Sequence, residues 1–358
     1  MAALRYFFSL LMVPLSFIAL GISIAAYMAG MVNPNESSFI TFLGLAMPVI
    51  LFANLFILIY WVVKKRWWAI VPVTAILLNV GYLTSIFQIT LSSTERPNDK
   101  LPIRLASYNV GKFKSWEKFA TQHYISEFLK NDHVDIVCFQ EYREDKKINA
   151  ETLSKLLNLP YHVIEYLPGS TTLGSSIFSK YPILQSGKIP FTSQTNDAMW
   201  ADIQVGGQIT RVISCHLQTT NFSRKRKLID DPALQNADAQ QVEEVVQDIT
   251  QELDKNFKLR ATQADIVRQV IDTTRIPTIV CGDFNDTPSS YTYHRIKGDM
   301  KDSFKTSGNG YAYTFRGIHR LLRIDFIFYS KELECIDYHS PGKEWSDHNP
   351  VISEFYLK

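Results

Sequence analysis

The stretch "VCGDFNDTPS", Val280 to Ser289, ends the apolar run "IPTIV" with an aspartate, an aromatic residue, an asparagine and a second aspartate. Buried strands of mixed sheets read as continuous apolar runs, and polar side chains at their ends are held rigidly by the sheet. Asp283 and Asn285 are therefore placed to do chemistry. Turn formation explains the same residues in isolation, because Asn, Asp and Pro all favour turns, so the reading depends on whether other strands end in the same way.

They do. From about Leu101 the chain is a series of short apolar runs that finish in polar residues: "IRLASYNV", "VDIVCFQE", "SSIFSKYPI", "RVISCHLQ", "PTIVCGDFN", "RIDFIFYS" and "SDHNPVISEFY". Helical patterns lie between some of them, over Trp116 to Leu129 and in "ATQADIVRQVI". Strands interleaved with helices predict a layered α/β domain, two β-sheets packed face to face beneath outer helices. Cys138, Cys215 and Cys281 sit inside apolar runs and read as small core residues rather than a disulfide or a metal cluster.

The polar ends collect Asn109, Gln140, Glu141, His216, Asp283, Asn285, Asp325, Asp347 and His348. Carboxylate and amide oxygens from several strands make a hard-oxygen set suited to Mg²⁺ or Mn²⁺, without the cysteines and clustered histidines that zinc prefers. Two histidines add proton transfer near neutral pH. The net charge of +2 over 358 residues, 20% of them charged, does not by itself argue for a nucleic-acid partner.

The N-terminal part reads differently. Residues 6–35, 37–63 and 67–94 carry no charged side chain, and each run can hold the roughly 20 apolar residues that cross a bilayer as a helix. Three spans are expected, at about 6–30, 38–63 and 68–91, within an anchor over 1–95. A signal peptide fits the first run less well, because its apolar core is usually shorter and is not followed by two more spans. Pro14, Pro48 and Pro72 fall one in each span, where neighbouring helices can re-satisfy freed carbonyls. Lys64, Lys65 and Arg66 lie between Trp61 and Trp67/Trp68, a basic loop with interfacial aromatics, whereas "VNPNESS" has no basic residue. The basic loop is expected in the cytoplasm. That predicts an integral protein of the cytoplasmic membrane with a cytoplasmic N-terminus and its C-terminal domain, 101–358, outside the cytoplasm. "SSTERPNDKLP" reads as a polar linker between the two parts.

Six of these motifs, in order, resemble the endonuclease/exonuclease/phosphatase superfamily, also called the DNase I-like fold: "SYNV", "CFQE", "CHLQ", "GDFN", "RIDFIF" and "SDHNP". The resemblance covers about 101–358 and implies a four-layer α/β sandwich. It implies that Glu141 holds a divalent cation with Asn109 and Asp347 nearby, and that Asp283 orients or deprotonates the attacking water. Asn285 and His216 would contact the phosphate, with His216 also stabilising developing charge or protonating the leaving oxygen. Asp325 would orient His348, which serves as base or as a positive partner to the phosphate. Arg316 and Arg323 are further candidates for phosphate contact, weighed against ordinary ion pairing.

An insert over 219–259 carries a basic cluster, Arg224–Lys227, and then an acidic amphipathic pattern; a solvated surface excursion is its plainer reading, and a substrate lid or a contact to anionic lipid or nucleic acid its functional one. The function expected is membrane-anchored, Mg²⁺- or Mn²⁺-dependent hydrolysis of phosphodiesters, with nucleic acid as substrate. Alternatives are a phospholipid or sphingolipid headgroup, an inositol phosphate, or a non-catalytic membrane receptor or scaffold.

Overall fold

A computed structural model describes residues 2–90, 100–113, 121–145, 149–193, 195–220 and 239–358. The basic cluster Arg224–Lys227 and most of the expected linker lie outside these residues, as does the first part of the helix expected from Trp116.

The chain begins with helices α1 (Ala2–Met28), α2 (Ser38–Leu45), α3 (Met47–Val63), α4 (Ile70–Leu78) and α5 (Val80–Ile86). Over Ser9–Met28, α1 is long and apolar enough to cross a membrane, with a mean hydropathy of 2.1. The second and third expected spans differ from straight helices. Each is a bent pair, α2 with α3 at 61° and the stretch Trp67–Leu78 with α5 at 55°. Pro48 stands in the first turn of α3, where its missing N–H and fixed φ favour a new helix start over continuation of α2. At the other bend the Asn79 side chain donates to the Ala75 carbonyl and to Ser23 O of α1, competing with the backbone ladder. Polar contacts hold the helices together: Trp61 Nε1 to Ser16 Oγ and Asn54 Nδ2 to Ser23 Oγ, both 2.9 Å.

Next come β1 (Phe87–Gln88), β2 (Ile103–Asn109), α6 (Thr121–Asn131), β3 (Ile136–Arg143), α7 (Ala150–Leu157), β4 (Tyr161–Tyr166), β5 (Leu173–Ser179), β6 (Ile183–Ile189), β7 (Asp197–Val205) and β8 (Gln208–His216). The chain ends with α8 (Ala239–Thr273), β9 (Thr278–Asp283), α9 (Tyr291–Lys297), β10 (Lys301–Asp302), α10 (Ser303–Ser307), β11 (Gly310–Tyr311), β12 (Asp325–Tyr329), β13 (Leu333–His339) and β14 (Val351–Leu357).

The strands form two six-stranded mixed sheets, ordered β13-β14-β2-β3-β5-β4 and β10-β12-β9-β8-β7-β6. The parallel pairs β2/β3 and β8/β9 lie near their centres. Ile103, Leu105, Cys138, Val212, Ile279, Cys281 and Ile327 pack between the sheets. Ile125, Leu129, Leu153 and Leu157 of α6 and α7 cover the outer face of the first sheet, and Ala264, Val267, Ile271 and Ile296 of α8 and α9 cover the second. Central strands are thus buried on both faces, which is why they read as continuous apolar runs. The expected break near Arg260 is absent: the second half of the insert and the helix after it are one 35-residue helix, α8.

Candidate active site

Side chains alternate across a strand, so β2 sends Ile103, Leu105, Ser107 and Asn109 inward, β8 sends Val212, Ser214 and His216, and β9 sends Ile279, Cys281 and Asp283. Asp325 opens β12 and pairs with Asp283 across the ladder, while His216 is the parallel partner of Asp283. One polar residue from each strand therefore reaches the same end of the inter-sheet layer. Strict alternation would send Glu141 outward. Instead the β3/β5 register shifts between Phe139 and Tyr142, and Glu141 takes φ +49°, a bulge that re-aims the carboxylate. Gly282 has φ +138°, and an added Cβ would overlap the Cys215 carbonyl oxygen, so only glycine lets β9 lie this close to β8.

Asp283 is the hub. Its Oδ2 accepts from Asn109 Nδ2 at 2.9 Å and its Oδ1 from the Asn285 backbone N–H at 2.8 Å. His348 Nε2 is 3.6 Å from Asp283 Oδ2, and His348 Nδ1 is 2.9 Å from Asp325 Oδ2. Burial opposes charge on His348, but Asp325 and Asp283 outweigh it and lift the imidazole well above its ordinary value. Burial pushes Asp283 up to about 6, against the pull of His348. Thr314 Oγ1 accepts from the backbone N–H groups of Ile324 and Asp325, which fixes the start of β12.

His216 Nε2 is buried and has no hydrogen-bond partner among the described residues; it is 3.9 Å from Glu141 Oε1 and 4.0 Å from Asp283 Oδ2. Asn285 sits at φ +53° with Nδ2 donating to Leu217 O, and its second amide hydrogen has no partner among the described residues. Ser346 Oγ donates to the Asn109 carbonyl at 2.7 Å, which seats the exposed Asp347 beside Asn109.

Asp283, Asp325 and His348 are close enough together to suggest a metal cluster. The same geometry serves a charged pair, since the His348 ring lies between the Asp325 and Asp283 carboxylates. Glu141 is more open than these carboxylates, its side chain 27% exposed, and it pairs with the Lys112 ammonium at 3.5 Å. Burial raises the Glu141 carboxyl, but His216 and Lys112 more than compensate and hold it below the usual range. The Asn109 side-chain oxygen already accepts from the Gly111 N–H at 3.1 Å and keeps one lone pair for a ligand.

A family model for the endonuclease/exonuclease/phosphatase family matches residues 106–348, more than half of the chain. The chain belongs to this family. A second model, a domain of unknown function (DUF8431), matches residues 7–86. Among solved structures, a family member from Beutenbergia cavernae DSM 12333 matches with 15% identity and a TM-score of 0.51, covering 72% of each chain. The human Nocturnin catalytic domain with bound sulfate matches at 18% and 0.51, over 72% of this chain and 96% of that one. ANGEL2, a 2',3'-cyclic phosphatase, in complex with adenosine-2',3'-vanadate matches at 15% and 0.52, over 75% and 99%. At these identities the likeness is one of fold. A comparison with curated proteins found no match.

Several residues stand differently from the sequence expectation. Gln140, collected as a polar strand end, is fully buried and ties Ser107 to Ser214 between the sheets. Arg316, a candidate phosphate contact, donates to the Lys343 carbonyl and pairs with the exposed Glu344. Arg323 is buried against Asp302 at 2.6 Å. Among the residues not singled out from the sequence, Lys112 and Asp197 line a cavity of about 420 Å³ with Glu141, His216 and Gln218. Asp197 pairs in register with His216, and burial pushes its carboxyl up. Its position at the start of a strand gave no periodic signal.

Proposed function

We propose that the protein is a divalent-metal-dependent phosphoesterase hydrolysing phosphodiesters, anchored in the cytoplasmic membrane by three spans over 1–95 with its 101–358 domain outside the cytoplasm. The observation that carries the chemistry is the convergence of Asn109, Glu141, His216, Asp283, Asp325 and His348 from separate strands on one end of the sandwich. Family membership supports the reaction class.

In this reading Glu141, with Asn109 and Asp347, holds Mg²⁺ or Mn²⁺, which supplies neutralisation of charge on the phosphoryl oxygens. Asp283, fixed by Asn109 and the Asn285 N–H, orients and deprotonates water. His348, kept cationic by Asp325, faces the phosphate as a positive partner rather than as a base. His216 Nε2, with no partner among the described residues, protonates the leaving oxygen, and the Asn285 amide hydrogen not used by Leu217 O binds a phosphoryl oxygen. Nucleic acid is the first substrate class to test. A lipid headgroup is the second, favoured by the contacts that seat the N-terminal helices beside the site.

The full chain in detergent should hydrolyse bis(p-nitrophenyl) phosphate and at least one of DNA, RNA, a phospholipid or an inositol phosphate. EDTA should abolish turnover and Mg²⁺ restore it, and Glu141→Gln should raise the metal concentration needed. Full activity in chelator sinks the metal reading. For topology, a reporter active only outside the cytoplasm should be active when fused after Lys358; activity of a cytoplasmic reporter there reverses the orientation.

A further inference from the structure

The segment Gly310–Arg323 is fastened at both ends to the end of the third helical pair. At its start β11 pairs with β1, Phe87 opposite Tyr311, and Ala312 N donates to Ile86 O. At its end Arg323 Nη1 donates to Ser85 O at 2.9 Å while the same guanidinium is locked onto Asp302. Between these ties Thr314 and Phe315 hydrogen-bond to Leu322, giving a short hairpin whose tip presents His319, Arg320 and Leu321 to solvent.

The outer surface of this hairpin is unusual for a water-facing loop. Tyr311 is 45% exposed and Leu321 57%, beside Phe87 at 51% and Ile89 at 67% on the chain leaving α5. The Tyr311 hydroxyl donates to Leu321 O, which holds the two together. Ser303 to Ile324 contains Lys305, Arg316, Arg320 and Arg323 and no acidic residue. Arg316 and Arg323 are paired, whereas Arg320 makes no ion pair among the described residues. Exposed aromatic and aliphatic side chains with an unpaired arginine, continuous with the end of a membrane span, have the composition of a segment at lipid-headgroup level. The inner surface of the hairpin reaches the active site. Phe315 bridges to His348, their rings 5.1 Å apart, and Thr314 holds the backbone of Asp325.

We infer that the Gly310–Arg323 hairpin lies in the headgroup layer of the leaflet facing the catalytic domain. There Arg320 meets anionic lipid, Tyr311 and Leu321 enter the interface, and the His348 side of the cleft opens at the bilayer surface. This rests on the proposed membrane spans and is independent of the catalytic assignments.

The test uses the full chain with Leu321→Cys, or Arg320→Cys as a second position, labelled with an NBD maleimide; the native cysteines are buried and do not compete. In vesicles of phosphatidylcholine and phosphatidylglycerol the label should shift to the blue and be quenched by brominated lipid. Phe52→Cys on a span is the positive control, and Tyr161→Cys, on an edge strand of the first sheet, the negative one. Arg320→Glu, added to the Leu321 label, should reduce quenching on anionic vesicles and leave it unchanged on neutral ones. A Leu321 label quenched no more than Tyr161, while Phe52 is quenched, overturns the inference and leaves the spans standing. A Phe52 label that also escapes quenching overturns the span reading and the inference with it.

Discussion

Asp325→Asn is the sharpest perturbation of the site, because it keeps the shape of the side chain and removes only its charge. His348 is held between Asp325 Oδ2 at 2.9 Å and Asp283 Oδ2 at 3.6 Å. With an effective dielectric of about 20, these separations correspond to roughly 6 and 5 kcal/mol of Coulomb attraction, so Asp325 is the larger of the two attractions on the buried ring. Without it the imidazolium retains one carboxylate against an unchanged burial cost, and its pKa must fall steeply from its present place well above 6.5. The backbone bonds from Ile324 and Asp325 to Thr314 do not involve the lost charge, so β12 should stay in place. Turnover should drop on the order of a hundredfold, as for loss of a positioned charged or proton-transferring group. The activity that remains should acquire a new alkaline limb, since His348 now loses its proton within the assayed range. The assay is kcat for a diester substrate as a function of pH, with circular dichroism to confirm the fold. Wild-type turnover with an unchanged pH profile would falsify the view that Asp325 keeps His348 cationic.

Two further outcomes follow from the geometry. Burial pushes Asp283 up to about 6 and the proposed role needs its carboxylate form, so wild-type kcat should fall as the pH drops through about 6; a rate that stays flat well below that value contradicts the proposed role. Gly282→Ala forces a Cβ onto the Cys215 carbonyl at φ +138°, and should cost roughly 1–3 kcal/mol or more of stability, read as a fall in Tm; an alanine variant as stable as wild type would show that β9 and β8 can separate cheaply.

How much of this could be read from the sequence depends on the position of each strand in its sheet. β2, β3, β8, β9 and β12 are covered on both faces and announce themselves as apolar runs. The strands that were not singled out include β4, β6 and β13, which form sheet edges and carry half-exposed patterns such as "YHVIEY" and "ILQSGKI". An edge strand has only one neighbour and one well-covered face, so its composition resembles a loop's. Part of the site was visible for the same reason as the central strands: Asn109, His216 and Asp283 are polar residues that close apolar strands, and Asp325 opens one. Glu141 was found by its motif, although its inward direction depends on a bulge that no periodicity encodes. The bends at Pro48 and Asn79 were hidden because hydropathy averages over a span and is blind to where its helix restarts.

Those bends explain why the sequence suggested a tethered domain where the structure has a docked one. Both occur at the ends of the second and third helical pairs that meet the catalytic domain, and the short pieces beyond them, α2 and α5, are its seat. The Ser289 hydroxyl donates to Gly44 O at 2.8 Å, Phe42 packs edge-on against Phe257, and the His294 ring leaves no room for a side chain at Gly30. Thr90 Oγ1 donates to Gly308 O, and Lys305 Nζ to Gly81 O. Ser289 lies only four residues after Asn285, so the loop that carries Asp283 and Asn285 is braced by α2. The helices up to Thr90 are thus bonded directly to the domain that follows. The position of the cleft relative to the helices is then set by these packing contacts.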